Sequence, residues 1–351
     1  MWQKLAGLVG VSSVPQVSLA LQGGGAHGAY TWGVLDRLLE EGWRIEGVSG
    51  TSAGAMNAVA LAQGWMNDGA EGARESLANF WQAVTDRAPF HLDFLQQIDP
   101  NGDAAMPVSM HMMQTLTKML SPYQFNPLDI NPLRDILQEQ FDFERLRQAC
   151  PLKLFIAATH VGTGKVKLFG NRELSEKALL ASACLPSVHQ AVEIEDEYYW
   201  DGGYTANPAI YPLVYDCQTP DILLILLDSL EIQELPRSAK GIASRSMELS
   251  FSSSFLREMR TLCQARSYIA TSSSRAWLPR GRLERLLERL RFHLIEADDL
   301  ADMNSISKLN ASNGFISHLR DLGRNRTERW LAANERSVGR HASVQIERLF
   351  T

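Results

Sequence analysis

The sequence predicts an α/β protein with a mostly parallel central sheet between helical layers, continued by a helical C-terminal region. Strand-like apolar runs alternate with helix-period runs from residue 17 onward, the order that builds βαβ units. The first two strand-like runs each lead through a glycine-containing turn directly into a helix-period run. Ile222–Leu227 is an uninterrupted aliphatic run, typical of a strand covered on both faces.

Along the chain, residues 1–16 read as an N-terminal extension before the first core strand at Val17. That strand ends in the loop Gly23-Gly-Gly-Ala-His-Gly28. A helix follows, with Tyr30, Val34, Leu35, Leu38 and Leu39 at helical spacing and Gly42 closing it. Ile45–Val48 reads as the second strand, and the helical run Ala53–Ala62 continues over Ala70–Thr85 with Leu77, Phe80, Trp81 and Val84 on one face. Residues 86–131 change character, with five prolines and the methionines Met106, Met110, Met112, Met113 and Met119. Methionine adapts to variable apolar partners, so this insertion is expected to form a lid or acyl-chain channel over the site. The alternative is an irregular insertion whose methionines fill gaps. Asn131-Pro132 starts a helix, with asparagine as N-cap and proline in the first turn. Lys153–Thr159 and Lys165–Phe169 read as strands joined by the turn Val161-Gly-Thr-Gly164. Leu174–Cys184 reads as a helix, and Glu197–Trp200 as a strand ended by Asp201-Gly202-Gly203.

The chemistry concentrates in three of these junctions. Gly50-Thr-Ser-Ala-Gly54 spells G-x-S-x-G between a strand and a helix. A serine on so sharp a turn exposes its hydroxyl, and the helix behind it directs backbone N–H groups at any anion formed there. The loop Gly23–Gly28 brings several N–H groups into one concavity. It also fits G-x-G-x-x-G, but the acid that a dinucleotide site needs about 20 residues on is not convincing, because the second strand leads into Gly50–Gly54 instead. The better reading is an oxyanion hole. Asp201 at a strand end, with Gly202 and Gly203 keeping space before it, suits a general base, although Asp-Gly-Gly taken alone reads more readily as an ordinary turn.

Together, Gly23–Gly28, Gly50–Gly54 and Asp201-Gly202-Gly203, in that order, resemble the bacterial patatin-like phospholipases. Ala181-Ser-Ala-Cys-Leu-Pro186 and Asn207-Pro208 agree, and the likeness covers roughly residues 17–230. The resemblance implies a three-layer α/β/α patatin-like fold and a Ser–Asp dyad without histidine. Ser52 would be the nucleophile, Asp201 the base, and N–H groups of Gly23, Gly24, Gly25, Ala26 and Gly28 the oxyanion hole, with Gly24 and Gly25 foremost. Gly50, Gly54, Gly202 and Gly203 support the motifs, and no metal or other cofactor is implied. The implied substrate is a lipid or other acyl ester: a phospholipid, a neutral lipid or a stored polyester. A catalytically silent protein of the same fold is the competing class, and the intact motifs argue against it. A histidine triad is the rival mechanism. His293, His318 and His341 follow Asp201, as that order requires, whereas His27, His160 and His189 precede it. His27, inside the glycine loop, reads as a neighbour of the site that contacts substrate. Tyr198, Tyr199 and Trp200 are candidates to desolvate Asp201 and raise its pKa.

Length and composition fit a globular enzyme: 351 residues with 45% hydrophobic content can bury a large core. The N-terminus has one lysine before a short apolar run and no A-x-A site, so a cytoplasmic location is expected, with export without a cleavable signal left open. Cys150, Cys184, Cys217 and Cys263 are widely spaced, which fits neither a zinc site nor a disulfide framework. The net charge is −6, yet residues 241–351 carry 18 Lys+Arg against 12 Asp+Glu. The overall acidity and lack of a binding motif exclude nucleic acid as the expected partner. Arg280, Arg282, Arg285, Arg289 and Arg291 surround leucines in a basic amphipathic run. Its two readings are a helix lying on an anionic membrane, or a packed helix whose arginines pair with Glu284 and Glu288. The sequence leaves the oligomeric state unspecified. Residues 231–351 are expected to be helical and packed on, or continuous with, the catalytic unit of residues 17–230.

Overall fold

A computed structural model describes residues 15–87, 120–232, 234–272, 281–301, 303 and 305–351. The methionine-rich run, the N-terminal stretch and Arg280 lie outside the described residues. In chain order the elements are β1 (Gln16–Leu21), α1 (Gly28–Glu40), β2 (Arg44–Thr51), α2 (Ala53–Asp86), α3 (Pro122–Phe125), α4 (Pro132–Gln140) and α5 (Phe143–Ala149). Next come β3 (Lys153–His160), β4 (Val166–Gly170), α6 (Glu176–Ser182), β5 (Val192–Ile194), β6 (Glu197–Asp201), α7 (Tyr211–Asp216) and β7 (Asp221–Leu226). The last five are α8 (Ala239–Ser272), α9 (Arg282–Arg289), β8 (Arg291–Glu296), α10 (Asn313–Asn334) and α11 (Ile346–Phe350).

The strands form one sheet in the order β5-β6-β3-β2-β1-β7-β8, with β4 also paired to β3. The run β3-β2-β1-β7-β8 is wholly parallel, and β4, β5 and β6 pair antiparallel. Strand alternation separates two cores. On β7, Leu223 and Ile225 enter the core under α1 and α2, whereas Ile222, Leu224 and Leu226 enter the core with Leu213 of α7, Phe255 and Met259 of α8, and Phe350 of α11. This is the three-layer α/β/α arrangement. α10 closes the first helical layer against α1, where a Cβ on Gly33 would lie 1.9 Å from Arg320 O. The helix read as continuing past residue 62 is kinked, with non-helical dihedrals at Asp68 and Gly69.

The C-terminal region is mostly helical but also supplies β8, which pairs parallel with β7 from Asp221↔Arg291 to Leu226↔Glu296. The strand Arg291-Phe-His-Leu-Ile-Glu296 escapes sequence reading because no turn residue separates it from the Leu/Arg helix before it.

Register on β3 explains how distant segments meet. β2 pairs with Lys153–Ala157 and β6 with Ala158–His160, while β4 covers residues 155–159. A strand has two edges, so β2 and β6 must share the edge opposite β4, lying end to end. Thr51 pairs with Ala157 and Asp201 with Ala158. The C-terminal ends of β2 and β6 therefore abut.

Candidate active site

Ser52 sits where β2 turns into α2, with φ 54° and ψ −122°. That conformation costs a non-glycine residue on the order of 1–3 kcal/mol and persists only where the surroundings enforce it. Here the Ser52 N–H donates to Ser182 Oγ at 3.0 Å, and its carbonyl accepts from the N–H groups of Ala55 and Met56 at 2.9 and 3.1 Å. The elbow is packed too tightly for side chains at its glycines. A Cβ on Gly50 would lie 2.5 Å from Gly54 O, and one on Gly54 would lie 2.3 Å from Leu21 O.

Asp201 closes β6 with its backbone pinned on both sides. Its N–H donates to Cys184 O at 2.8 Å, and its carbonyl accepts from Thr159 Oγ1 at 2.7 Å. The residue is 1% exposed. Burial pushes its carboxyl up to about pKa 7, against the opposing pull of two hydrogen bonds, one from the Gly203 N–H at 2.7 Å and one from the Ser52 hydroxyl. Tyr198 does not supply that burial, since it is 48% exposed, and Tyr199 packs on His160 and Phe169. The neighbouring glycines are walled in instead, with Gly202 against Ala157 and Gly203 against the Phe251 ring of α8.

The glycine loop lies beside this pair. Gln22 Oε1 ties it to the end of β7 by accepting from Leu227 N and Asp228 N at 2.6 and 3.0 Å. Gly25 has φ +58°, and a Cβ there would meet Lys308 O at 2.4 Å, so only glycine fits without displacement. The structure narrows the set of candidate anion-binding N–H groups in this loop. The Gly23 N–H is already given to Asn207 Oδ1 at 2.7 Å, and the Gly28 N–H points back to Gly25 O and Ala26 O. Gly23 and Gly28 therefore shape the loop rather than donate to a ligand. A Cβ on Gly28 would meet Ala53 Cβ at 2.6 Å, so Gly28 lets α1 approach α2 beside Ser52. The N–H groups of Gly24, Gly25 and Ala26 remain as the candidates.

The structure brings none of the histidines to Ser52 or Asp201 as a hydrogen-bond partner among the described residues. His293 is on β8, three strands from β2, about 14 Å at ordinary strand spacing. Its ring bonds Asp221 and Ser343, both at 3.0 Å. His160 bonds Glu197, and His318 and His341 are exposed. His27 is 2% exposed, and its Nε2 meets Ser307 Oγ at 2.7 Å. Burial lowers its pKa to about 4, with Lys308 adding to the effect, so the ring is neutral at pH 7. Its ring faces Ser307 and Phe315 behind the loop, contrary to the expectation of a substrate-contacting neighbour.

A family model of patatin-like phospholipase matches residues 19–214. This chain belongs to the patatin-like phospholipase family. Proteins described as uncharacterized NTE family members from Mycobacterium bovis and Mycobacterium tuberculosis are 28% identical over 192 residues, 55% of this chain and 44% of theirs. The chain thus spans under half the length of these relatives. Among solved structures, VipD from Legionella pneumophila matches with a TM-score of 0.43 and 16% identity, over 90% of this chain and 67% of that one. ExoU of Pseudomonas aeruginosa, solved as a heterodimer with SpcU, matches with a TM-score of 0.30 and 19% identity, over 96% and 74%. Similarity at this level supports no argument beyond the family match.

Sequence reasoning gave no role to two polar residues, Ser182 and Asn207, that hold the patatin-like site together. Ser182 is fully buried and accepts from the Ser52 N–H, and Asn207 fixes the glycine loop. Both lie in stretches that carried the resemblance, Ala181–Pro186 and Asn207-Pro208, but neither belongs to a motif with a mechanistic reading.

Proposed function

We propose that the protein hydrolyses carboxylic esters of lipids through a Ser52 acyl-enzyme, with Asp201 as the only general base. The observation that carries this reading is the abutment of the Ser52 elbow and the buried Asp201 carboxyl, at the ends of β2 and β6 beside the consecutive residues Ala157 and Ala158. As Ser52 Oγ adds to the ester carbonyl carbon, Asp201 takes its proton. The carbonyl oxygen becomes an oxyanion, held by N–H groups of Gly24, Gly25 and Ala26. Collapse of the intermediate expels the alcohol, which receives the proton from Asp201. The carboxylate then deprotonates water, which attacks the acyl-enzyme and releases the acid. A base is most effective when its pKa lies near the working pH. An ordinary aspartate is about three units too acidic for this, and the value of about 7 at Asp201 removes that handicap. The α2 N-terminus behind Ser52 adds a favourable field for the developing negative charge.

A fluorophosphonate probe tests the nucleophile, and a lipid panel read by mass spectrometry identifies the ester. Covalent labelling of the wild type that is absent in Ser52→Ala supports the reading. An unlabelled wild type that releases no fatty acid from any lipid rejects it.

A further inference from the structure

Helix α8 is far longer than the sheet beside it. Its 34 residues span about 51 Å, against about 20 Å for a six-residue strand. Its lower half is anchored. Arg266 donates to Leu287 O and Leu290 O just before β8 begins, and Phe251 lies over Gly203 at the catalytic end. Those sixteen residues already cover the height of the sheet. Residues 239–250 therefore project roughly 18 Å past it, at the same end as Ser52.

This projecting piece has reversed polarity. Among the described side chains of this piece, the exposed ones are Ala239, Ile242, Ala243, Ser246, Met247, Leu249 and Ser250, none of them charged. The charged pair Arg245–Glu248, joined at 3.3 Å, instead turns inward toward Gln22 and Asp228. Ile242, Met247 and Leu249 are each about half exposed, and Leu235 just before the helix is 76% exposed. Down the same side, the stripe Ile242, Ser246, Leu249, Ser253, Arg257, Arg260 follows the 3.6-residue period. It changes from apolar at the tip to exposed arginine about 12–16 Å lower. A second exposed apolar group, Tyr123, Leu128 and Ile130, is tied to the Asp201 end of the sheet through Gln190, which donates to Asn126 O at 2.9 Å.

We propose that the projecting N-terminal half of α8 is a lipid-surface docking element, whose apolar tip enters the acyl layer while Arg257 and Arg260 meet lipid phosphates. The apolar-then-basic order along one stripe matches the depth profile of a membrane interface. Docked this way, the Ser52 mouth faces the lipid. The basic helix α9 fits this role badly. It leads directly into the first residue of β8, at the opposite end of the parallel strands from Ser52, so a membrane held there would face away from the site. Arg289 also donates to Gln218 O at that end.

The proposal rests on the lipid-hydrolase reading for its biological sense but is tested apart from turnover. Ser52→Ala protein is co-sedimented with phosphatidylcholine vesicles, with and without phosphatidylserine. Adding Ile242→Gln, Met247→Gln and Leu249→Gln is expected to lower partitioning to both vesicle types about a hundredfold, from the apolar area no longer buried. Adding Arg257→Gln and Arg260→Gln is expected to remove only the gain from phosphatidylserine. In the Ser52 background, the triple variant keeps kcat/KM on a water-soluble short-chain ester within about twofold, which also shows that it folds. Leu249→Gln alone serves should the triple variant misfold. Unchanged vesicle binding by these variants overturns the proposal. So does loss of binding on substituting Arg282, Arg285 and Arg289 instead. Sedimentation that shows a dimer dissolved by the triple substitution, without vesicle binding, assigns the face to a second copy and also overturns it.

Discussion

The raised pKa of Asp201 makes Asp201→Asn a test of both stability and mechanism. The carboxyl goes from an ordinary 3.8 to about 7 on folding. A folded pKa above the unfolded one means that the ionised group is disfavoured in the native state. Its stabilising contribution is complete below about pH 3.8 and is lost as pH rises through about 7. Asparagine is nearly isosteric and stays neutral, so it escapes that loss. Between pH 5 and pH 8.5 the wild type forfeits about 2 pH units of linkage, or about 3 kcal/mol, that the variant keeps. For 351 residues the unfolding entropy is about 0.7 kcal/mol/K, so the gap in Tm between variant and wild type should widen by about 4 °C over that range. Thermal unfolding by circular dichroism at the two pH values measures it. On the activity side, kcat/KM of the wild type on a non-ionising ester should fall about tenfold per pH unit below about 7, and Asp201→Asn should be inactive throughout. A pH-independent gap in Tm, or an acid limb near pH 4, would refute the buried-base argument.

Three further outcomes follow from the site. Asn207→Ala removes the acceptor for the buried Gly23 N–H; it should cost about 1–3 kcal/mol in chemical denaturation and lower kcat more than it raises KM. Gly25→Ala forces a side chain onto Lys308 O at φ +58° and should destabilise the loop by at least about 1 kcal/mol while reducing kcat about a hundredfold, read from steady-state kinetics and Tm together. His293→Ala should lower Tm through the loss of its buried bonds to Asp221 and Ser343, yet leave kcat of the folded protein within about twofold, and His27→Ala should likewise retain turnover. Loss of activity in either histidine variant to the level of Asp201→Asn would restore the triad.

Much of this molecule was legible because the geometry of its candidate site is written in local sequence. Tight turns demand glycine, so Gly50, Gly54 and Gly25 mark the elbow and the loop. The strand β7 is apolar at every position from Ile222 to Leu226, which marks a strand covered on both faces. What stayed hidden depends on contacts between distant segments. No periodicity reveals that Asn207 occupies the Gly23 N–H, that Ser182 holds the Ser52 backbone, or that α8 outruns the sheet. β8 was missed because six residues of mixed polarity take their strand conformation from pairing with β7 rather than from their own pattern. The arginine run after residue 280 showed its composition but not which end of the sheet it would occupy.

The abutment of β2 and β6 on one edge of β3 bears on how this family can diversify. Ser52 and Asp201, the proposed nucleophile and base, are separated by 148 intervening residues, yet they hang beside two consecutive positions of one strand, Ala157 and Ala158. That strand works as a ruler. Segments between these two carriers can lengthen or change character without altering the distance between Ser52 and Asp201. A single residue inserted or deleted at the centre of β3 would slip one carrier past the other by about 3.3 Å and reverse the faces of everything beyond it. Tolerance to change should therefore be greatest in the connecting loops and least in a strand that contributes no reacting atom.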